Sequence, residues 1–145
     1  MTVAAILRAK GTHVETTGPD TTLFTVAWTL KLRSIGALVV MSADGARIIG
    51  IVSERDIVRA LIEHGEHLLG LPVSRVMTSP VLTCSSSDRV TAVMARMTRH
   101  RVRHLPVVDG GKLAGLISIG DVVKHRLDEL ELEANVLRET LMVSH

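Results

Sequence analysis

The feature that most constrains the fold of this chain is an internal duplication. Residues 50–58 read GIVSERDIV and residues 115–123 read GLISIGDVV, so a Gly, a Ser and an Asp recur at fixed spacing. The similarity extends upstream, where residues 14–30 align with residues 81–97 at an offset of 67. After a loop that differs by two residues, the offset falls to 65. Such self-similarity predicts two copies of one structural unit that pack against each other.

Each copy predicts the same order of elements, β-α-β-β-α. A short extended segment precedes an amphipathic helix, and a two-stranded hairpin follows that helix. Asp20 and Ser87 are the predicted N-caps of these helices, and the Ser-x-x-Asp element opens the last helix of each copy. The predicted strands are 14–17, 37–41 and 48–52 in the first copy and 81–84, 105–108 and 113–117 in the second. The expected fold class is α+β, with the two units packed through their sheets.

Composition restricts the core and the environment of the chain. Apolar residues make up 46% of the 145 residues and aromatic residues only 1%, so the core must be mainly aliphatic. Cys84 is the only cysteine, which excludes an intrachain disulfide and a cysteine-based zinc framework and favours a reducing compartment. No apolar stretch approaches the roughly 20 residues of a membrane span. Residues 1–11 lack the pattern of a secretory signal. We therefore expect a cytoplasmic protein with no membrane partner.

Several other function classes are disfavoured. The formal net charge is +2 and the cations are interspersed with acidic residues, so no basic stripe for nucleic acid emerges. Phe24 and Trp28 fall on a predicted helix and are expected near the core, not exposed for base stacking. His100 and His104 fall on either side of a helix end, with no carboxylate at ligand spacing, so no metal site is expected. No nucleophile motif or acid–base pair is recognisable, and we expect no enzymatic activity.

The duplicated Ser and Asp have two interpretations. At the start of a helix, unpaired N–H groups and the positive end of the helix dipole favour an anion. Ser53 and Ser118 would then donate to a phosphate, and Asp56 and Asp121 would accept hydrogen bonds from two ribose hydroxyls. Alternatively, Ser-x-x-Asp is an approximate capping box, which stabilises a helix without any ligand.

The whole pattern, with GIVSERD, GLISIGD and the strand VRHLPVVD, resembles a tandem pair of cystathionine β-synthase-type (CBS) domains over roughly residues 3–127. This resemblance implies two β-α-β-β-α repeats joined by their sheets about a pseudo-two-fold axis, with two clefts between them. It also implies adenine-nucleotide ligands, namely AMP, ADP or ATP, with S-adenosylmethionine or NAD(H) in some members. On this basis the chain divides into a first repeat with the N-terminal segment (1–68), a second repeat (69–127) and a C-terminal helical extension (128–145).

The resemblance also assigns roles to individual residues. Asp56 and Asp121 would hold ribose, and the phosphate-binding residues would be Ser53, Ser118, Arg55, Arg103 and His104. The adenine pocket would be formed by Gly11, Thr12, His13, Ile35, Gly36, Ala37, Thr78, Ser79, Pro80 and Val102. Each cleft lies between repeats, so Asp56 should share a ligand with Arg103 and His104, and Asp121 with residues 35–37. The Asp56 cleft is expected to bind anions more tightly, because Arg55 and Arg103 have no basic counterparts beside Asp121.

The C-terminal region predicts a long helix with a narrow apolar stripe. Its heptad-spaced residues are Val123, Leu127, Leu130, Ala134, Leu137 and Leu141. Such a stripe requires a partner surface, either a second subunit in a homodimer or the chain's own N-terminal segment. Two functions remain open: a non-catalytic adenine-nucleotide sensor that acts in trans on an unidentified protein, or an interaction module with vestigial clefts and a docking helix.

Overall fold

The structure is a computed structural model that describes residues 1–143, so the last two residues of the predicted extension lie outside it. Five helices and five strands alternate in the order α1-β1-α2-β2-β3-α3-α4-β4-β5-α5 over the described residues. The helices are α1 Val3–Lys10, α2 Leu23–Arg33, α3 Glu54–His64, α4 Val90–His100 and α5 Ile119–Val143. The strands are β1 Thr16–Thr17, β2 Ala37–Met41, β3 Ile48–Ser53, β4 His104–Asp109 and β5 Lys112–Ser118. Two short 3₁₀ helices, Gly65–Gly70 and Val73–Arg75, link the repeats.

The hairpins of both repeats form as predicted. Strand β2 pairs antiparallel with β3, and β4 pairs antiparallel with β5, each with one irregularity in register. The first strand of each repeat is much shorter than predicted. In the first repeat it is reduced to β1, which runs parallel to β2, and in the second to a single bridge between Cys84 and Val107. These segments are followed by polar turns, which limits the ladder they can form.

The predicted N-caps of the two middle helices are wrong by two residues. Helix α2 begins after Thr22, whose side chain accepts a hydrogen bond from the Thr25 N–H, and not after Asp20. Helix α4 begins after Arg89, which makes no side-chain cap, and not after Ser87. The polar clusters there instead bond within their own turns: Asp88 accepts a hydrogen bond from the Ser85 N–H. The Ser-x-x-Asp prediction, in contrast, is confirmed at both later helices.

Each repeat has its own aliphatic core. Helix α1 and the 3₁₀ linker each complete one of these two cores. The first core contains the buried faces of α2, β2 and β3 together with Leu68 and Val73 from the 3₁₀ linker. The second contains the buried faces of α4, β4 and β5 together with Val3, Ile6 and Leu7 of α1. In packing, therefore, the N-terminal helix belongs with the second repeat and the 3₁₀ linker with the first. This arrangement ties the two repeats into one body.

A strand glycine in each repeat makes this crossing possible. A Cβ on Gly115 would lie 2.6 Å from Leu7 Cδ2, and a Cβ on Gly50 would overlap the side chain of Met77. Any side chain at either position would displace the segment that covers the strand. The two glycines thus permit a close approach, and the approaching groups are the side chains of Leu7 and Met77.

Large apolar side chains remain exposed on several helices. Phe24 and Trp28 are both 52% exposed, so the expectation that they lie near the core is wrong. Their rings contact each other edge to face, and Lys31 lies over the Trp28 ring. On α5 only Val122 is buried, beside α1, whereas Leu130 and Leu137 on the predicted stripe are exposed. Among residues 1–143, no helix combines the length and apolar character needed to cross a membrane.

Candidate functional site

The candidate site is a cavity of about 360 Å³ between the two repeats. The first repeat contributes the junction of β3 and α3, and the second contributes the end of α4 and the start of β4. Its lining residues are Gly36, Ile51, Ser53, Glu54, Arg55, Asp56, Arg59, Thr78, His100, Arg101, Val102, Arg103 and His104. Asp56 thus shares a cavity with Arg103 and His104, as expected from the resemblance.

The Asp56 carboxylate is held in a fixed orientation at this site. Its Oδ2 accepts hydrogen bonds from the backbone N–H of Ser53 (2.8 Å) and from Ser53 Oγ (3.0 Å). Its Oδ1 accepts one from the Thr78 hydroxyl at 2.9 Å. The Asp56 N–H also donates to Ser53 Oγ, which completes a capping box. The capping interpretation is therefore confirmed. Oδ1 keeps a lone pair for one further donor, and a second ribose hydroxyl can take the place of the Ser53 Oγ donor on Oδ2, so capping and ribose binding are compatible.

Four arginines surround the other part of the cavity. Arg55 and Arg59 lie one turn apart on α3, and Arg101 and Arg103 flank the turn from α4 into β4. None of the four side chains forms an ion pair or a hydrogen bond with another residue in the described part of the chain. Only two acidic residues, Glu54 and Asp56, line the same space. The arrangement favours an anionic group at this end.

His104 lies at the boundary between the repeats. A Cβ on Gly36 would be 3.2 Å from His104 Nε2, so the glycine allows the imidazole to approach. Burial lowers the pKa of His104, and the nearby Lys10 ammonium lowers it further. At neutral pH the imidazole is therefore uncharged, and its ring presents one donor and one acceptor. The arginines, not His104, supply the positive charge of the cavity.

At the second predicted ribose-binding position, the Asp121 carboxylate already pairs with a side chain of the protein itself. The Lys10 ammonium donates to Asp121 Oδ2 at 2.6 Å and to the Leu116 carbonyl at 2.8 Å. Asp121 Oδ2 also accepts from the Ser118 N–H, so this carboxylate is a capping residue and an ion-pair partner together. Burial would raise the pKa of Asp121, but the hydrogen bonds from Lys10 and Ser118 outweigh it, and the net pKa is lowered.

The other predicted adenine-pocket residues are divided between several places. Thr78 and Val102 line the Asp56 cavity, and so does Gly36, which had been paired with Asp121. Residues 35–37 lie at the boundary between the repeats, where a Cβ on Gly36 would be 3.2 Å from His104 Nε2, so the pairing of this segment with Asp121 stays a prediction. The remaining predicted residues do not line the cavity: Gly11, Thr12, His13, Ile35, Ala37, Ser79 and Pro80. Among them, Ala37 is buried in β2, and the exposed His13 contacts Glu15.

Sequence reasoning missed three contributors to these sites. Arg59 follows Arg55 by four residues. This spacing places both side chains on one helix face, and it is the signal by which Arg59 could have been found. Arg101 follows the end of α4 with a left-handed backbone (φ 55°) and lines the cavity. Lys10 carried no local signal, since it meets Asp121 only through the packing of α1. No group of three His, Cys, Asp or Glu side chains suited to a metal occurs within the described residues.

Comparison with known proteins agrees with this architecture. The protein-family model of the CBS domain matches residues 7–63 and 73–128. The crystal structure of the CBS-domain containing protein ATU1752 from Agrobacterium tumefaciens is 45% identical, with a TM-score of 0.83 over 86% of this chain and 92% of that one. The CBS domain protein PAE2072 from Pyrobaculum aerophilum, complexed with AMP, is 30% identical, with a TM-score of 0.78 over 92% of this chain and 99% of that one.

A curated relative has a longer chain. The mitochondrial CBS domain-containing protein CBSX3 of Arabidopsis thaliana is 29% identical over 130 residues, which are 85% of this chain and 63% of that protein. The duplicated β-α-β-β-α units, the two Ser-x-x-Asp capping boxes and both family-model matches lead to one identification. The chain belongs to the CBS domain family, as a tandem pair of CBS domains.

Proposed function

We propose that the protein is a non-catalytic regulatory module that binds one adenine nucleotide per chain in the Asp56 cavity. CBS-domain pairs are regulatory, nucleotide-binding modules, and the similar PAE2072 structure contains AMP. The observation that carries the proposal is the composition of the cavity. It joins an oriented carboxylate, suited to vicinal ribose hydroxyls, to a cluster of unpaired guanidiniums, suited to phosphate. The module would act in the cytoplasm, in trans, on an unidentified protein.

Thermal unfolding of the full-length chain tests this function. AMP, ADP, ATP, NADH and S-adenosylmethionine are each added at millimolar concentration. A ligand at 100 times its dissociation constant stabilises the folded state by about 2.7 kcal/mol, which raises the melting temperature by several degrees. We expect such a rise with at least one adenine nucleotide. No rise with any of them would contradict the nucleotide-sensing function and favour the interaction module with vestigial clefts.

Lys10 supports the proposal of a single site, because it already neutralises Asp121. Replacing Lys10 by Met removes the ammonium and keeps an apolar stem of similar length. We expect calorimetric titration to give one nucleotide per wild-type chain and two per Lys10→Met chain, since Asp121 is then available to ribose. A wild-type chain that binds two nucleotides would contradict the single-site proposal. A variant that still binds one would show that Lys10 is not what closes the second cleft.

We also propose that the chain forms a homodimer, because its exposed apolar residues are concentrated on helices. Leu130 (44% exposed) and Leu137 (60%) continue along α5 beyond its contact with α1. Further exposed apolar side chains on α2 and α3 are Phe24, Trp28, Leu32, Val58, Leu61 and Ile62. Many large apolar side chains exposed on a few helices are typical of a protein that buries them against another subunit.

Sedimentation velocity at tens of micromolar tests the dimer. The wild-type chain should sediment as a dimer, and Leu137→Glu should shift it toward monomer, since an unpaired carboxylate at an interface costs several kcal/mol. Asn135→Glu is the matched control, because it adds the same charge to α5 outside the apolar stripe and keeps its contact with Arg138. A monomeric wild-type chain would contradict the dimer, and equal effects of the two variants would contradict the role of the stripe.

A further inference from the structure

The heptad stripe of α5 runs beside the body of the chain and not beneath it. Val122, which is buried in the second core, lies roughly a quarter turn around the helix from the stripe. The stripe consists of alternating d and a positions of the heptad, in the order Val123, Leu127, Leu130, Ala134 and Leu137. Its four large side chains are all exposed. Since α5 continues to Val143, this surface extends over about three heptads.

The charged residues that flank the stripe match a second copy of the same helix in parallel orientation. In this heptad Arg126 and Glu133 occupy g positions, and Glu131 and Arg138 occupy e positions. In a parallel pair in register, each g residue faces the e residue five positions later on the other helix. Arg126 then faces Glu131 of the second copy, and Glu133 faces Arg138 of the second copy. Two-fold symmetry repeats both pairs, so every flanking contact joins opposite charges.

An antiparallel pair of the same length is disfavoured by the same residues. In that orientation e positions face e positions and g positions face g positions. Glu131 would then lie opposite its own copy, Glu133 opposite its own copy, and Lys124 opposite Arg138. All of these contacts join like charges. An antiparallel pair that brings Glu131 opposite Arg138 avoids this repulsion, but it shortens the overlap by one heptad and leaves Val123 uncovered.

The flanking charges are available for contacts with a second copy. Within residues 1–143, Glu133 forms no ion pair. Arg138 donates only one hydrogen bond, at 3.4 Å, to the Asn135 amide oxygen. Arg126 contacts Glu129 at 3.5 Å, and its guanidinium has further N–H donors for a second carboxylate. Glu133 and Arg138 are therefore the pair on which orientation depends most.

We propose that the stripe of α5 is covered by the same stripe of a second copy, in a parallel and in-register helix pair that Glu133 and Arg138 orient. This inference rests on the proposed homodimer and specifies the surface and the orientation by which the two copies meet. It places both bodies at the same end of the paired helices. The Asp56 cavity takes no part in this contact, because none of its lining residues belongs to α5.

Disulfide trapping of the full-length chain tests the orientation. A parallel pair in register places Val123 directly opposite its own copy, within the Cα separation of less than 7 Å that a disulfide requires. An antiparallel pair of full overlap separates the two copies by about 27 Å. Under mild oxidation, most of the Val123→Cys chain should therefore run as a covalent dimer on a non-reducing gel. Asp128→Cys is the matched control, because residue 128 is exposed outside the stripe, and the wild-type chain, whose Cys84 is buried, is the blank.

An exchange of charge tests the pairing of Glu133 with Arg138. Glu133→Arg places two arginines opposite each other, so the dissociation constant of the dimer, measured by sedimentation equilibrium, should rise at least fivefold. Adding Arg138→Glu restores opposite charges in the parallel pair only, and the dissociation constant should return to within twofold of the wild-type value. Asp128→Arg makes the same change of charge outside the stripe and should alter the constant less than twofold.

The outcomes separate the homodimer from the orientation of its helices. If the wild-type chain is a monomer at tens of micromolar, the proposed homodimer itself fails. If it is a dimer but Val123→Cys does not crosslink, or Asp128→Cys crosslinks equally, the homodimer stands and the parallel helix pair is wrong. If Arg138→Glu does not rescue Glu133→Arg, these two residues do not orient the pair.

Discussion

Replacing Asp56 by Asn should weaken adenine-nucleotide binding by roughly two orders of magnitude. The carboxylate would accept two charge-assisted hydrogen bonds from ribose, each worth about 1.5 kcal/mol, and the amide retains only one acceptor oxygen and no charge. The amide oxygen still accepts from the Ser53 N–H, so the capping box is only partly lost and the fold is kept. Isothermal titration with the tightest nucleotide of the wild-type chain measures the effect.

Asp121→Asn is the matched control for this variant. It makes the same change at the same position of the other repeat, where Asp121 caps α5 and pairs with Lys10. We expect a loss of stability of about 1 kcal/mol and no change in nucleotide affinity. If both variants reduce affinity equally, the two clefts are equivalent binding sites and the assignment to Asp56 is wrong. If neither variant reduces affinity, neither carboxylate binds the ribose.

Replacing Gly115 by Val should lower the free energy of unfolding by about 2 kcal/mol, because the new side chain would overlap Leu7. The melting temperature should fall by roughly 6 to 10 °C for a chain of this size. Gly115 lies buried in β5, under the α1 residues that complete the second core. Displacing α1 exposes that core, so the effect extends beyond one contact. Chemical denaturation monitored by circular dichroism measures the change.

Two further variants show whether the overlap is the cause. Gly70→Val is the control, since a Cβ at Gly70 meets no atom within 4 Å and its backbone is not left-handed. It should change stability by less than about 0.5 kcal/mol. The double variant Gly115→Val and Leu7→Ala should lose less stability than the sum of the two single losses, by at least about 1 kcal/mol, because Leu7→Ala makes room for the new side chain. If the two losses are strictly additive, the Gly115→Val loss does not come from overlap with Leu7.

Much of the Asp56 site was accessible from the sequence because local chemistry defines it. A Ser three residues before an Asp, after an apolar strand, specifies a capping box whatever surrounds it, and both copies form one. The pairing of Asp56 with Arg103 and His104 followed from the family resemblance, which carries the geometry between repeats. The first strands and the caps at Asp20 and Ser87 were less predictable. Each turn contains several polar residues, and only the backbone direction makes α2 begin after Thr22, which caps it, and α4 after Arg89, which does not.

The duplication in the sequence was sufficient to establish the two repeats, their order of elements and the two equivalent Ser-Asp positions, because hydrophobic periodicity and capping act over a few residues. The sequence also indicated a stronger anion site at Asp56, from Arg55 and Arg103. It could not show that Lys10 reaches Asp121, 111 residues away, or that Arg59 and Arg101 line one cavity from different repeats. These encounters follow from the crossing of α1 and the 3₁₀ linker between cores. Only the folded chain decides which side chains reach a carboxylate, because distance in space is set by packing and not by spacing along the chain.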